Sequence, residues 1–126
     1  MTSELRARRI GMRIREYLSE ILQKEVADPR LELVTITGVE VDRELAFATI
    51  YVNALDGQDR SAQILQALEG AKGFLRRELA ARISLRAFPQ LRFTWDPTPE
   101  RAARVEELLA EIRHDAEDEK GENAGR

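Results

Sequence analysis

The chain has 126 residues, 43% of them hydrophobic and 34% charged, enough for one ordinary domain that buries its core without a disulfide or metal staple. It holds no cysteine and a single histidine, His114, which leaves almost nothing from which to build a thiol nucleophile, a thiolate metal site or a histidine triad. The net charge of -3 is unevenly spread: residues 1–15 carry +4, 16–68 carry -6, 69–92 carry +4 and 93–126 carry -5.

Residues 4–26 place Ile10, Ile14, Tyr17, Leu18, Ile21 and Leu22 at helical spacing and predict an amphipathic helix that stops at Asp28-Pro29. Its arginines sit near its start, where they oppose the helix dipole, so helix stability does not explain their placement. The β-branched runs 33–41 and 45–53, separated by Asp42-Arg43-Glu44, read as a hairpin closed by Asp56-Gly57. A helix follows from about residue 59, with Asp59 or Ser61 as its cap. Gly70 and Gly73 each cost about 1 kcal/mol relative to alanine in a helix, so a kink, or two helices meeting at a bend, is expected there.

Pro89 precedes a third strand in which Leu91, Phe93 and Trp95 alternate with Arg92 and Thr94. Thr98-Pro99 opens a short C-terminal helix with its stripe at Val105, Leu108, Leu109 and Ile112. Beyond residue 113 the chain is acidic and is expected to be disordered, which divides it into a domain over 1–113 and a tail over 114–126. No apolar run approaches the ~20 residues that span a bilayer. A cytoplasmic protein without membrane contact is the expectation.

The order helix-strand-strand-helix-bend-helix-strand is that of a type II KH-like α+β domain, here followed by a C-terminal helix. Three stretches narrow the likeness: Arg8-Arg9-Ile10-Gly11 through Asp28-Pro29-Arg30, the hairpin from Val34-Thr35-Ile36 to Phe47-Ala48, and Ala67-Leu68-Glu69-Gly70-Ala71-Lys72-Gly73-Phe74-Leu75-Arg76 leading to Pro89-Gln90-Leu91-Arg92-Phe93. Over residues 4–112 the chain resembles bacterial ribosome-binding factor A. That resemblance implies a maturation factor that binds the immature small (30S) ribosomal subunit and its 16S rRNA. It also implies help in late assembly and rRNA processing, departure before translation and a link to cold adaptation. The Ala-x-Gly kink of that family matches Ala71-Lys72-Gly73. Gly70-Ala71-Lys72-Gly73 also satisfies the Gly-x-x-Gly pattern at which KH backbones approach phosphates. In one reading Gly73 only lets the helix bend. In the other, the glycines also admit phosphate and Lys72 adds charge.

The candidate RNA-binding residues are Arg6, Arg8, Arg9, Arg13 and Arg15 in the first basic segment and Lys72, Arg76, Arg77, Arg82 and Arg86 in the second, with Ala71 and Gly73 at the kink. Arginine suits phosphate because its planar fork donates two parallel hydrogen bonds. If folding brings the two segments together, they form one basic surface on an acidic protein. Phe47, Tyr51, Phe93 and Trp95 fall on strands, some in the core and some open to stacking. No phosphate-binding loop or paired-carboxylate motif suggests an enzyme, and no cofactor or metal is expected. The rival reading is a protein-interaction module docking on ribosomal proteins. A monomer is the simpler expectation.

Overall fold

The computed structural model describes residues 3–55 and 58–124. Helix α1, Ser3–Lys24, buries Ala7, Ile10, Gly11, Ile14, Leu18, Ile21 and Leu22, a stripe at intervals of three and four. Gly11 belongs to that stripe for a steric reason. A Cβ there would lie 3.1 Å from the Val39 carbonyl oxygen and 3.6 Å from Val41 Cγ2, so the helix approaches the strand more closely than an alanine permits comfortably. Asp28 then caps the 3-10 turn Pro29–Leu31 by accepting from the Arg30 amide at 2.9 Å, with proline in the first turn.

Strands β1, Val34–Val41, and β2, Phe47–Ala54, form the expected hairpin, pairing Val34 with Ala54 and Val41 with Ala48 around a bulge between Ile36 and Gly38. Asp42 holds the turn, its Oδ1 accepting from the amides of Ala46 (2.7 Å) and Phe47 (3.1 Å). Leu45 takes the left-handed conformation there, at φ 58. Asp56-Gly57, expected to close β2, lies outside the described residues. Strand β3, Gln90–Trp95, joins β2 in parallel, from Phe47 opposite Gln90 to Val52 opposite Trp95, and the sheet order is β1-β2-β3.

Between β2 and β3 runs one helix, α2, Ser61–Arg82, rather than two separate helices. Helical secondary structure continues across Gly70 and Gly73, and neither takes a positive φ. The apolar stripe Ile64, Ala67, Leu68, Leu75 and Leu79 explains this, because burying each large side chain is worth roughly 1.5–3 kcal/mol and outweighs two glycines. The expected cap is also corrected. Arg60 occupies the N-cap position and makes no side-chain cap bond; Gln58–Arg60 form a 3-10 turn and Ser61 is already helical.

The core of Ile14, Leu18, Ile21, Ile50, Val52, Leu68, Leu75, Leu79, Ile83 and Leu91 lies between the helices and one sheet face. The chain divides after Asp96 into two compact units. The second unit holds α3, Thr98–Ala124, which is helical through residues 114–124 where disorder was expected. Charged side chains are good helix formers, and the pairs Arg104–Glu107 (3.2 Å) and His114–Asp118 (3.4 Å) sit at helical spacing. Composition resembling a solvated tail therefore also suits an exposed helix.

The glycines give a direct check. A Cβ at Gly70 meets nothing within 4 Å, so Gly70→Ala should raise stability by roughly 0.5–1 kcal/mol. Gly11→Ala should lower it, because the Val39 backbone must yield. Thermal melts of both variants distinguish a helix that merely tolerates Gly70 from one that needs it.

Candidate nucleic-acid interface

The arginines of α1 are all exposed. At 100° per residue, Arg6, Arg9 and Arg13 fall on one flank of the helix and Arg8 and Arg15 on the other, with Leu5, Met12 and Glu16 between them. Met12 is 71% exposed and Leu5 43%, so this outer surface carries two apolar side chains and Glu16 along its middle and cations at both margins. Among the described residues, Arg6, Arg8, Arg13 and Arg15 make no ion pair, and their forks are available to a partner. Arg8 also lines a shallow cleft with Glu4, Ala7 and residues 39–44, where Glu4 meets Arg43 at 3.3 Å.

The second basic segment is mostly engaged in holding the fold. Arg76 donates through Nε to the Pro89 carbonyl (3.1 Å) and through Nη2 to the Phe88 carbonyl (2.6 Å), which clamps the connection entering β3. Arg82 reaches Glu25 just beyond α1 at 2.6 Å and Glu78 at 2.9 Å, and donates to the Glu78 carbonyl at 2.9 Å. The bond from Arg82 holds the Glu78 carboxyl below the usual carboxylate range. Lys72 is paired with Glu69. Arg77 and Arg86 are exposed, with no ion pair among the described residues. Ala71, half-buried, lines a shallow surface with Phe74 and residues 25–29, whereas Gly73 is exposed beside the Arg77 side chain.

The described contacts therefore bring Arg82 to Glu25, ten residues past Arg15, or ~15 Å along a helix axis, with Glu16 and Glu20 in between. Among the described residues, no ion pair of Arg6, Arg8, Arg13 or Arg15 reaches the second basic segment. Positive charge was legible as composition; its division into free and internally bonded groups was not.

Two residues outside the candidate set stand out. Arg92 on β3 lies over the Phe47 ring of β2, its guanidinium carbon 3.5 Å from the ring centre, and Phe47 is 36% exposed. The alternation of Leu91, Arg92 and Phe93 was the available signal, because it turns Arg92 away from the core. Phe93 and Trp95 pack against that core instead. Tyr51 donates its hydroxyl to Glu40 at 3.2 Å; burial, and then the Glu40 charge, hold the phenol above its ordinary pKa. Among the described residues there is no cluster of acidic or histidine side chains that could hold a metal, and no helix long and apolar enough to cross a membrane.

Comparison with known proteins places this geometry in context. The family model described as ribosome-binding factor A matches residues 6–109. Ribosome-binding factor A of Thioalkalivibrio sulfidiphilus is 41% identical over 104 residues, covering 82% of this chain and 81% of that protein. The Thiobacillus denitrificans protein of the same name is 39% identical over 118 residues, covering 93% and 95%. The crystal structure of ribosome-binding factor A from Thermus thermophilus is similar at TM-score 0.62 and 28% identity, covering 70% of this chain and 93% of that one. A Thermus thermophilus ribosome binding factor A model fitted into the cryo-EM map of a 30S complex is similar at TM-score 0.58 and 28% identity, covering 72% and 96%.

The two kinds of arginine should separate on substitution. Arg76→Ala strips two carbonyls of their donor and should lower stability by roughly 1–3 kcal/mol, whereas Arg77→Ala should leave the melting temperature nearly unchanged. The Arg82–Glu78 pair adds a pH signature. A lowered folded-state pKa gives stability that is fully present above the ordinary glutamate range and is lost as pH falls through the lowered value. Acid melts should therefore show a smaller loss on that limb for Arg82→Met than for the parent chain.

Proposed function

The chain belongs to the ribosome-binding factor A family, and on that premise we propose that it binds the immature small (30S) ribosomal subunit and its 16S rRNA as a cytoplasmic monomer. It assists late assembly and rRNA processing without catalysing a reaction, and the reading includes a part in cold adaptation. The observation that carries it is the family match over residues 6–109, nearly the whole of the larger unit and the start of α3.

The side chains supply a mechanism. Arg6, Arg8, Arg13 and Arg15 present uncommitted guanidinium forks on α1, and Arg77 and Arg86 add two more positions. Such forks bind phosphate oxygens in pairs and release counterions from the RNA. The acidic balance elsewhere opposes indiscriminate association with nucleic acid. Arg76 and Arg82 contribute indirectly, by fixing the elements that carry the free groups. Lys72 remains a phosphate candidate only at the expense of its pair with Glu69.

A second reading, docking on ribosomal proteins, draws on α3. Val105 and Ile112 are 54% and 63% exposed on a helix whose charged residues are mainly acidic. Basic partner segments would suit that surface.

Titrating purified protein against 30S precursors separates these readings. About five phosphate contacts should make affinity fall on the order of 10²–10³-fold between 50 and 200 mM salt. The double variant Arg8→Glu, Arg15→Glu should bind more weakly while melting like the parent chain. Salt-independent binding, or full affinity in the double variant, would overturn the RNA reading. Loss of binding on truncation after Arg113 would favour ribosomal-protein contacts.

A further inference from the structure

The face of the sheet opposite α1 and α2 carries the alternate side chains of β2 and β3. Ala48, Ile50, Val52 and Leu91 are buried toward the helices, which leaves Phe47, Thr49 and Tyr51 beside Arg92 and Thr94 on the other side. The two ends of this face differ. Toward Trp95 its polar groups are satisfied within the protein: Tyr51 donates to Glu40, Thr37 donates to Asp96 at 2.6 Å, and Asn53 donates to the Asp96 carbonyl at 2.8 Å. Toward Gln90, Arg92 lies on Phe47 at stacking distance, and both side chains are exposed. Arg92 makes no ion pair among the described residues.

We propose that Arg92, held over the Phe47 ring, is a stacking platform for an unpaired base of RNA; this rests on the ribosomal RNA reading above. The ring lies against the guanidinium, and the Arg92 side chain is otherwise exposed. Bases splayed from single strands stack on aromatic rings and on arginine planes. A structural role alone accounts poorly for the pair. A surface cation–π contact contributes only about 0.5–1 kcal/mol, and threonine serves the equivalent outward strand positions at Thr49 and Thr94.

The charged neighbours favour a base over a phosphate. In the adjoining hairpin Arg43 is paired with Glu4, Asp42 is committed to the Ala46 and Phe47 amides, and Glu44 is exposed. These carboxylates oppose a phosphate group. Stacking needs only a π-face, so the site tolerates any base in a single-stranded segment and excludes paired ones.

The test uses the full chain and a short single-stranded RNA carrying one fluorescent adenine analogue, with a duplex of the same sequence as control. The parent chain should prefer the single strand and quench the analogue. Phe47→Leu keeps an apolar side chain, and Arg92→Lys keeps the charge but removes the plane. Each should weaken single-strand binding about tenfold, relieve the quenching, leave the salt slope unchanged and lower the melting temperature by no more than the loss of the surface contact accounts for. Unchanged affinity and quenching in both variants, or a parent chain that prefers duplex, would overturn the platform while leaving α1-dependent RNA binding standing. A parent chain that binds neither RNA would overturn the platform and the reading beneath it.

Discussion

The larger unit depends on one burial: the apolar face of three strands lies beneath stripes from two helices. Ile50 and Val52 at the centre of β2 are fully buried, and so are Ile14 and Leu18 of α1 and Leu75 and Leu79 of α2. Neither partner is stable without the other, since an isolated small sheet and an isolated helix both leave their apolar groups in water. The closeness of the fit appears at Gly11, where helix backbone rests almost on the Val39 carbonyl. Because one sheet face is so fully used, strand alternation turns every other side chain to the opposite face.

That burial also sorts the arginines. Arg6, Arg8, Arg13 and Arg15, on the outer surface of α1, carry no ion pair among the described residues. Those near the end of α2 lie where a helix must turn into a parallel strand, which exposes carbonyls and brings carboxylates close. Arg76 and Arg82 answer those local demands first. Guanidinium groups with the same charge thus do different work, and the difference comes from the backbone geometry around each one.

Much of the fold was legible. The stripe of α1, the stop at Asp28-Pro29, the β-branched hairpin and the alternation around Phe93 are short-range signals, and all reappear in the structure. The errors have physical causes. Gly70 and Gly73 do not divide the segment into two helices, because tertiary burial of Leu68 and Leu75 outweighs their lower propensity. Residues 114–124 combine tail-like composition with adequate helix propensity, and composition alone could not separate the two. The candidate site was less legible. The partners of Arg76 lie twelve and thirteen residues away, and Glu25, which Arg82 bonds besides the nearby Glu78, lies fifty-seven away, distances no local pattern spans. Nothing local marks the contact of Arg92, because Phe47, its partner, is on another strand.

The parallel union of β2 and β3 also bears on how the molecule assembles. Its antiparallel neighbour closes over a short hairpin turn, whereas Phe47 meets Gln90 only after the whole of α2 has intervened. Closing so long a loop carries a larger entropic toll and slows a folding chain. The third strand is consequently the late arrival, and the cation resting on the phenyl ring is assembled only when the most distant parts of the domain have found each other.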